Sequence, residues 1–395
     1  MTTQTKTTWR EVKLGEIADI NMGQSPQSQF YNLDGDGLPF FQGVTEFGEM
    51  FPKIKQWTSK VTKVAEPGDI LFSVRAPVGR VNYSKEKICI GRGLASMRSK
   101  EKLLNQNYLF YLLKNEENNL ISQSGGSIYD SINKDKLNDF DVSIPTVDTQ
   151  KQIADVLSTY DDLIENNTKR IKILEQIAQA IYKEWFLYFR FPGHENAKMI
   201  DSKTEFGKIP EGWKIGQLSN LAKITMGQSP SSDFYNEIGE GSPFHQGVTN
   251  FEFRFPVTTT YSTEGTRKAT TGDILFSVRA PVGRINVADR NMIIGRGLAA
   301  LKSVSGHQSF LLYNLKHLFQ TEDLIGGGAI FASVTKNDLS NFPVIIPDTK
   351  MIEQFELNVR PVDQLILNTS HNISVLRNSR DLLLPKLVGG EVVVK

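Results

Sequence analysis

The sequence predicts an α+β chain. Two similar α+β domains are joined by two long antiparallel coiled-coil helices about a pseudo-twofold. Three observations predict it. The 395-residue chain repeats itself once, at an offset of 204 residues. Each copy ends in a stretch whose apolar positions step alternately by four and by three. Ahead of each stretch, short β-branched and aromatic runs alternate with dense Gly and Pro punctuation, the texture of a turn-rich mixed domain.

The repeat sets the register of everything else. Trp9 has a counterpart in Trp213, and MGQSP at 22–26 recurs at 226–230. FYN at 30–32 recurs at 234–236, and QGVT at 42–45 recurs at 246–249. The run GDILFSVRAPVGR at 68–80 recurs unchanged at 272–284, and IGRGLA at 90–95 recurs at 294–299. Past residue 100 the offset falls to 202, so that Lys134 matches Lys336 and Pro145 matches Pro347. A period of this length is a duplicated domain with its connecting element, not a solenoid repeat. The organisation that follows is a globular domain at 1–147, a long helix at 148–190 and a linker at 191–211. A second globular domain at 212–347 and a second long helix at 348–395 complete it.

Within each globular half, residues 70–74 and 88–90 read as buried strands, and residues 107–114 as a helix with a broad apolar face. Residues 91–93, Gly-Arg-Gly, read as a tight turn after the second of those strands. The first long helix places Ile153, Leu157, Tyr160, Ile164, Asn167, Ile171, Leu174, Ala178, Ile181 and Trp185 along one seam. The second repeats the pattern with Phe355, Val359, Val362, Ile366, Thr369, Ile373, Leu376, Arg380, Leu383 and Leu387. Asn167 and Thr369 are its polar slots near the two midpoints. Pro361 and Pro385 predict a kinked start and an early stop for the second helix. A seam this long needs a partner, and the other copy's seam is the one the chain supplies; the alternative is that each helix packs on its own domain. Between the halves, residues 191–211 carry Pro192-Gly193 and Pro210 and read as an irregular connector.

Composition narrows the function. Lys plus Arg number 45 against 44 Asp plus Glu, for a net charge of +1, which excludes a polybasic arm. The single cysteine, Cys89, excludes an internal disulfide and a Cys-rich zinc site. The apolar runs fall far short of the roughly 18–20 residues of a membrane span. Residues 1–10 are polar and Thr-rich, unlike a secretory signal, so the expected location is cytoplasmic. No P-loop, HExxH pair, GxSxG elbow or three-glycine dinucleotide loop occurs, and no Pro-Pro step that an amino-methyltransferase motif would need. No residue is read as catalytic and none as a metal ligand.

Charge is balanced overall but not locally. Residues 68–102 hold eight basic side chains against three acidic ones, and residues 272–302 hold five against two. Such patches neutralise phosphates. Arg75, Arg80 and Arg92 stand beside Gly or Pro turns, where a rigid loop can present a guanidinium to guanine O6/N7. Gln24 and Gln42 are the matching adenine readers. Ser25, Tyr129 and Lys134 complete the candidate DNA-binding set in the first half. Gln228, Ser229, Gln246, Arg279, Arg284, Arg296 and Lys336 are the set in the second half. The competing structural roles are an Arg75–Asp69 ion pair, a turn cap for Gln24 and core packing for Phe30 and Tyr31.

Together these features resemble the specificity subunit of type I restriction–modification systems. The resemblance rests on IPEGW at 209–213, GDIL at 68–71, and the Ile144-Pro145 and Ile346-Pro347 steps before each helix. It also rests on QKQI at 150–153 leading into DDLI at 161–164, and on Trp185-Phe186 at the helix end. The resemblance implies that each half is a target recognition domain reading one half of a bipartite double-stranded DNA site. The helices would form a rod that fixes the gap and docks two methyltransferase subunits. Those partners would bring S-adenosylmethionine, and restriction/translocase subunits would bring ATP and Mg chemistry; this chain would hold no cofactor and be inactive alone. Recognition domains of this family are often dissimilar, whereas these two are near copies, so the expected site is near-palindromic. The copies differ at Gln27/Ser231, Gln29/Asp233, Glu46/Asn250 and in the stretch 127–130 against 329–332. The alternative is a non-DNA scaffold of two ligand-binding domains on a coiled coil.

Overall fold

The protein is described by a computed structural model, which describes residues 9–100, 102–123, 131–319, 324–325, 329–330 and 333–394. The chain divides into two compact units, residues 1–168 with 372–395, and residues 169–371. Each unit contains one globular α+β half and a length of both long helices.

In the first unit a four-stranded antiparallel sheet runs in the order Ala18–Met22, Leu94–Ser99, Ile70–Ser73, Val81–Tyr83. A five-stranded sheet runs Tyr31–Asn32, Trp57–Thr58, Leu38–Phe41, Ile88–Ile90, Val64–Ala65. Its Leu38–Phe41 and Ile88–Ile90 strands are parallel. Arg10–Lys13 pairs with Asp141–Ile144, so the two ends of the domain close on each other. The unbroken apolar run at 70–72 has a structural cause, because side chains alternate across a strand that is covered on both faces. Ile70 and Phe72 enter the main core with Leu14, Tyr108 and Leu112, whereas Leu71 joins a second core with Phe41, Ile88 and Ile90. The helix Gln106–Asn115 starts at Asn105, whose side chain accepts from the Tyr108 N–H at 3.0 Å.

The second unit repeats the plan. Its four-stranded sheet is Ala222–Met226, Leu298–Ser303, Ile274–Ser277, Ile285–Val287, and its five-stranded sheet includes Ser242–His245 parallel to Met292–Ile294. Lys214–Gln217 pairs with Pro343–Ile346. The linker is not wholly irregular: Met199–Asp201 and Lys208–Pro210 form a short antiparallel hairpin.

The long helices span Val147–Tyr182 and Thr349–Val388, and the first continues into a π-helical turn at Lys183–Leu187. Their seams are largely buried, with Ile153, Leu157, Ile164, Ile171, Phe355, Val359, Ile366, Thr369 and Ile373 all shielded from solvent. Asn167, Leu174 and Leu376 are half-buried. Within the first unit, Leu384, Leu387 and Val388 share a core with Ile153, Ala154 and Leu157, while Asp161 pairs with Arg380, so these segments run antiparallel. Within the second, Tyr182 packs edge-on against Phe355 with ring centroids 6.0 Å apart.

Two expectations are corrected here. The second helix does not stop at Pro385 but runs through both prolines to Val388, ending at Gly389-Gly390 with Gly390 at φ +74°. Both prolines lie on the exposed face, where packing of the opposite seam outweighs the missing N–H bonds. At the helix ends the seam moves on by one residue. Ile181 and Leu383 are half-buried, and Tyr182 and Leu384 take the deep positions. An α-helix of 3.6 residues per turn drifts against a 3.5-residue pattern, and without supercoiling the buried face slips in this direction.

Ion clusters fasten each globular half to the helices. In the first unit, Tyr111 donates to Asp161 at 2.5 Å, Asp161 accepts from Arg380, and Glu49 receives Arg377 at 2.5 Å and Arg380 at 3.2 Å. In the second, Tyr313 donates to Asp363 at 2.7 Å, and Arg254 bridges Asp363 at 2.5 Å and Glu175 at 2.6 Å; Lys316 also reaches Glu175. Burial disfavours the charged forms of Glu49 and Glu175. The neighbouring Arg377 and Arg380, and Arg254 and Lys316, outweigh it and hold both carboxyls below their usual range.

Candidate nucleic-acid interface

Three loops cross on one surface of each globular half. The MGQSP loop hangs from the sheet by two backbone bonds, Gly23 N–H to Leu94 O and Gln24 N–H to Ile90 O, each 2.9 Å. The Gly-Arg-Gly turn closes through Leu94 N–H to Gly91 O at 3.0 Å and bonds to the QGVT loop through Gly93 N–H to Gln42 O at 3.1 Å. Glycine is required where these backbones touch. A Cβ on Gly23 would lie 2.2 Å from Gly91 O, and one on Gly93 would lie 2.4 Å from Gln42 O. That contact explains two of the repeated phrases at once.

Ser25 sits at the crossing. Its Oγ accepts the Arg92 N–H at 3.1 Å and donates to Gln42 Oε1 at 2.9 Å. The second half has the same arrangement: Ser229 accepts from Arg296 N–H at 3.2 Å and donates to Gln246 Oε1 at 2.7 Å. The serines are therefore positioning residues. They hold the glutamine amide with its NH₂ group making no hydrogen bond among the described residues, so each exposed glutamine offers two donors and the remaining carbonyl lone pair.

A fourth loop extends the surface. Ser73 Oγ donates to Pro77 O at 2.7 Å and accepts from Arg80 N–H at 2.9 Å, closing a turn that passes through the cis Ala76–Pro77 peptide. Val74 N–H bonds Gly93 O at 2.9 Å, and Ile132 N–H bonds Val74 O at 3.0 Å. Arg75 forms an isolated antiparallel bridge with Ser131, three residues before Lys134, the first residue of the helix Lys134–Asn138. The second half repeats the device with Ser277, Arg279, the bridge to Ser333, and Lys336. The structure thus brings Gln24, Gln42, Arg75, Arg92 and Lys134 to one patch, all exposed, and does the same for Gln228, Gln246, Arg279, Arg296 and Lys336.

Ion pairing sorts the arginines. Arg75, Arg92, Arg279 and Arg296 form no ion pair among the described residues. The Arg75–Asp69 pair does not form, because Asp69 is bound by Arg98 at 2.6 Å. Arg80 is held by Glu117 at 3.1 Å, which leaves it the least available of the first-half candidates. Arg284 is exposed, but Phe319 stands where Glu117 stands in the first half. Lys87 and Lys100 face Glu66 and Asp19, so much of the local basic excess is spent on neighbouring carboxylates. Gln24 caps nothing with its side chain among the described residues. Phe30 and Tyr31 are half-buried, and Tyr31 stacks on Phe40 with centroids 4.7 Å apart. Tyr129, and the difference between copies at 127–130, lie outside the described residues.

Sequence reasoning missed the buried charges of the helix clusters. Arg380 was visible as a charged residue in an apolar seam, but Glu175 lies one position off the seam and gives no periodic signal. Among the described residues, no group of His, Cys, Asp and Glu is arranged to hold a metal ion, and no helix is long and apolar enough to cross a membrane.

The comparisons with known proteins agree with each other. A family model described as "Type I restriction modification DNA specificity domain" matches residues 6–176 and again 210–366. A putative type I restriction enzyme MjaX specificity subunit from Methanocaldococcus jannaschii is 32% identical over 341 residues, covering 83% of this chain and 79% of that one. The HindI specificity subunit of Haemophilus influenzae is 24% identical, covering 97% and 99%. The crystal structure of a type I S subunit from M. genitalium shares the fold, with a TM-score of 0.59 and 16% identity over 98% of both chains. None of these supports the non-DNA scaffold.

Proposed function

The chain belongs to the type I restriction–modification DNA specificity family, and on that premise we propose that its two recognition domains read the two halves of a bipartite, near-palindromic duplex site. The observation that carries this reading is the duplicated four-loop surface. Two exposed arginines that form no ion pair among the described residues, two glutamines and a lysine recur on matching hydrogen-bonded anchors. In each half the arginines suit guanine O6/N7 and the glutamines adenine N6/N7, while the lysine at a helix start suits a phosphate. Matching side chains on matching scaffolds support matching half-sites, and the differences at Gln27/Ser231, Gln29/Asp233 and Glu46/Asn250 are where the halves would diverge.

The rest of the complex follows as part of the same reading. The chain contributes address rather than chemistry. Two methyltransferase subunits would dock on the long helices and bring S-adenosylmethionine; restriction/translocase subunits would bring the ATP- and Mg-dependent steps. The domain limits 1–147 and 212–347 and a cytoplasmic location belong to this proposal too.

The test is single-molecule sequencing of DNA from a host expressing this chain with its methyltransferase partner, and from one lacking it. A bipartite adenine-methylated motif with related halves, present only with the chain, is the expected result. Unrelated halves would remove the near-palindrome and keep the specificity role; no motif beside an active methyltransferase would overturn the reading.

A further inference from the structure

The duplication that preserves the reading surface reverses the ion clusters on the long helices. Tyr111 matches Tyr313, Lys114 matches Lys316, and Asp161 matches Asp363. The charges that complete each cluster change places. In the first unit the globular loop supplies the carboxylate of Glu49, and the helix supplies the cations of Arg377 and Arg380. In the second unit the loop supplies the cation of Arg254, and the helix supplies the carboxylate of Glu175. By repeat register Glu175 stands at the position of Arg377, Ala178 at that of Arg380, Met50 at that of Arg254, and Phe253 at that of Glu49. In each unit the loop and the helix it meets come from different halves of the chain.

We propose that this reversed polarity is a pairing code, which seats each globular domain on the long helix of the other half and keeps two copies of the chain from associating through like halves. The inference stands on the repeat and the two clusters, independently of what the chain reads. If two first halves paired, Glu49, Asp161 and Glu175 would crowd together with only Lys114 to neutralise them. If two second halves paired, Arg254, Lys316, Arg377 and Arg380 would crowd around Asp363 and Asp381. Asp161, Glu175, Arg254 and Arg380 are buried, where unpaired like charges are poorly screened. Shape offers little discrimination, since the domains are near copies. Charge therefore has to do the sorting, as polar and charged positions do in coiled coils.

The test uses two differently tagged full-length copies, unfolded and refolded together, and reads how much of one tag is recovered with the other. Glu49→Phe, Met50→Arg, Arg377→Glu and Arg380→Ala together give the first cluster the second cluster's residues. The reverse set is Glu175→Arg, Ala178→Arg, Phe253→Glu and Arg254→Met. Either set alone makes the two polarities alike, and mixed recovery is expected to rise about tenfold over wild type at an unchanged melting temperature. Both sets together restore opposite polarities, and mixed recovery is expected to return to the wild-type level. A folded single-set variant with wild-type mixed recovery would overturn the proposal. So would failure of both sets to fold, because the clusters would then not be interchangeable parts of one code.

Discussion

Gln42 and Gln246 occupy matching settings, each with its carbonyl oxygen held by a serine that also accepts the N–H of an exposed arginine. A few residues further along the chain, Glu49 and Arg254 occupy nearly matching places and carry opposite charge. The same duplicated domain thus holds one surface constant and inverts another. The constant surface is exposed, whereas the inverted one faces the chain's own helices. The difference teaches that the two halves are alike in the surface they expose and unlike in how they are assembled.

Substitutions can break this contrast from either side. The largest effect is expected on the helices, where Ile171→Asp places a carboxylate at a seam position only 7% exposed. A loss of about 4 kcal/mol or more in denaturant unfolding is expected, with failure to co-purify a methyltransferase subunit. An intact complex would refute the paired seam. Next comes Arg254→Met, which leaves Glu175 and Asp363 without their shared cation; a buried pair broken on one side costs about 3–5 kcal/mol. Glu49→Gln should cost clearly less, because Glu49 is more exposed than Arg254. Equal losses would erase the distinction between the two clusters.

On the surface proposed to read DNA, Arg75→Ala and Arg279→Ala should each weaken one half-site by about 1–3 kcal/mol if the guanidinium reads guanine. Duplexes altered in one half at a time would measure it, and equal loss on every sequence would make both arginines phosphate contacts. Arg80→Ala is expected to change affinity by less than about 1 kcal/mol, since Glu117 already engages that side chain. The smallest expected effect is one of pH. Glu49 and Glu175 are held below the ordinary carboxyl value of 4.5 in the folded chain, so the stability they contribute is present above that pH. It is lost as pH falls through their lowered values. Melting curves between pH 6 and 3, compared with Glu49→Gln, should show a shallower acid limb in the variant.

Much of this was legible in the sequence. The repeat, the strands at 70–73 and 88–90 and most of the seam follow from local period, which burial on one or two faces imposes directly. The candidate arginines were legible as types beside turns, but not their sorting. Whether Arg75 or Arg98 takes Asp69, or whether Glu117 takes Arg80, depends on strand order and on how a helix packs, which no local pattern encodes. The seam's slip to Tyr182 and Leu384 was hidden because neighbouring residues at both ends are apolar or aromatic. The Tyr–Asp–Arg clusters were hidden for the opposite reason: a buried charge violates the pattern from which burial is inferred.

The crossing at Gly23, Gly91 and Gly93 carries a consequence for how such a protein can change. Its bonds run between main-chain atoms and one serine hydroxyl, and its glycines leave no room for bulk on the inside. The side chains at 24, 42, 75 and 92 hang outside that knot and, apart from the serine's hold on Gln42, take no part in tying it. Each can therefore be exchanged for another residue without moving its neighbours' main chain. A lineage could change the chemistry of that exposed surface one side chain at a time, on a frame that stays the same through every edit.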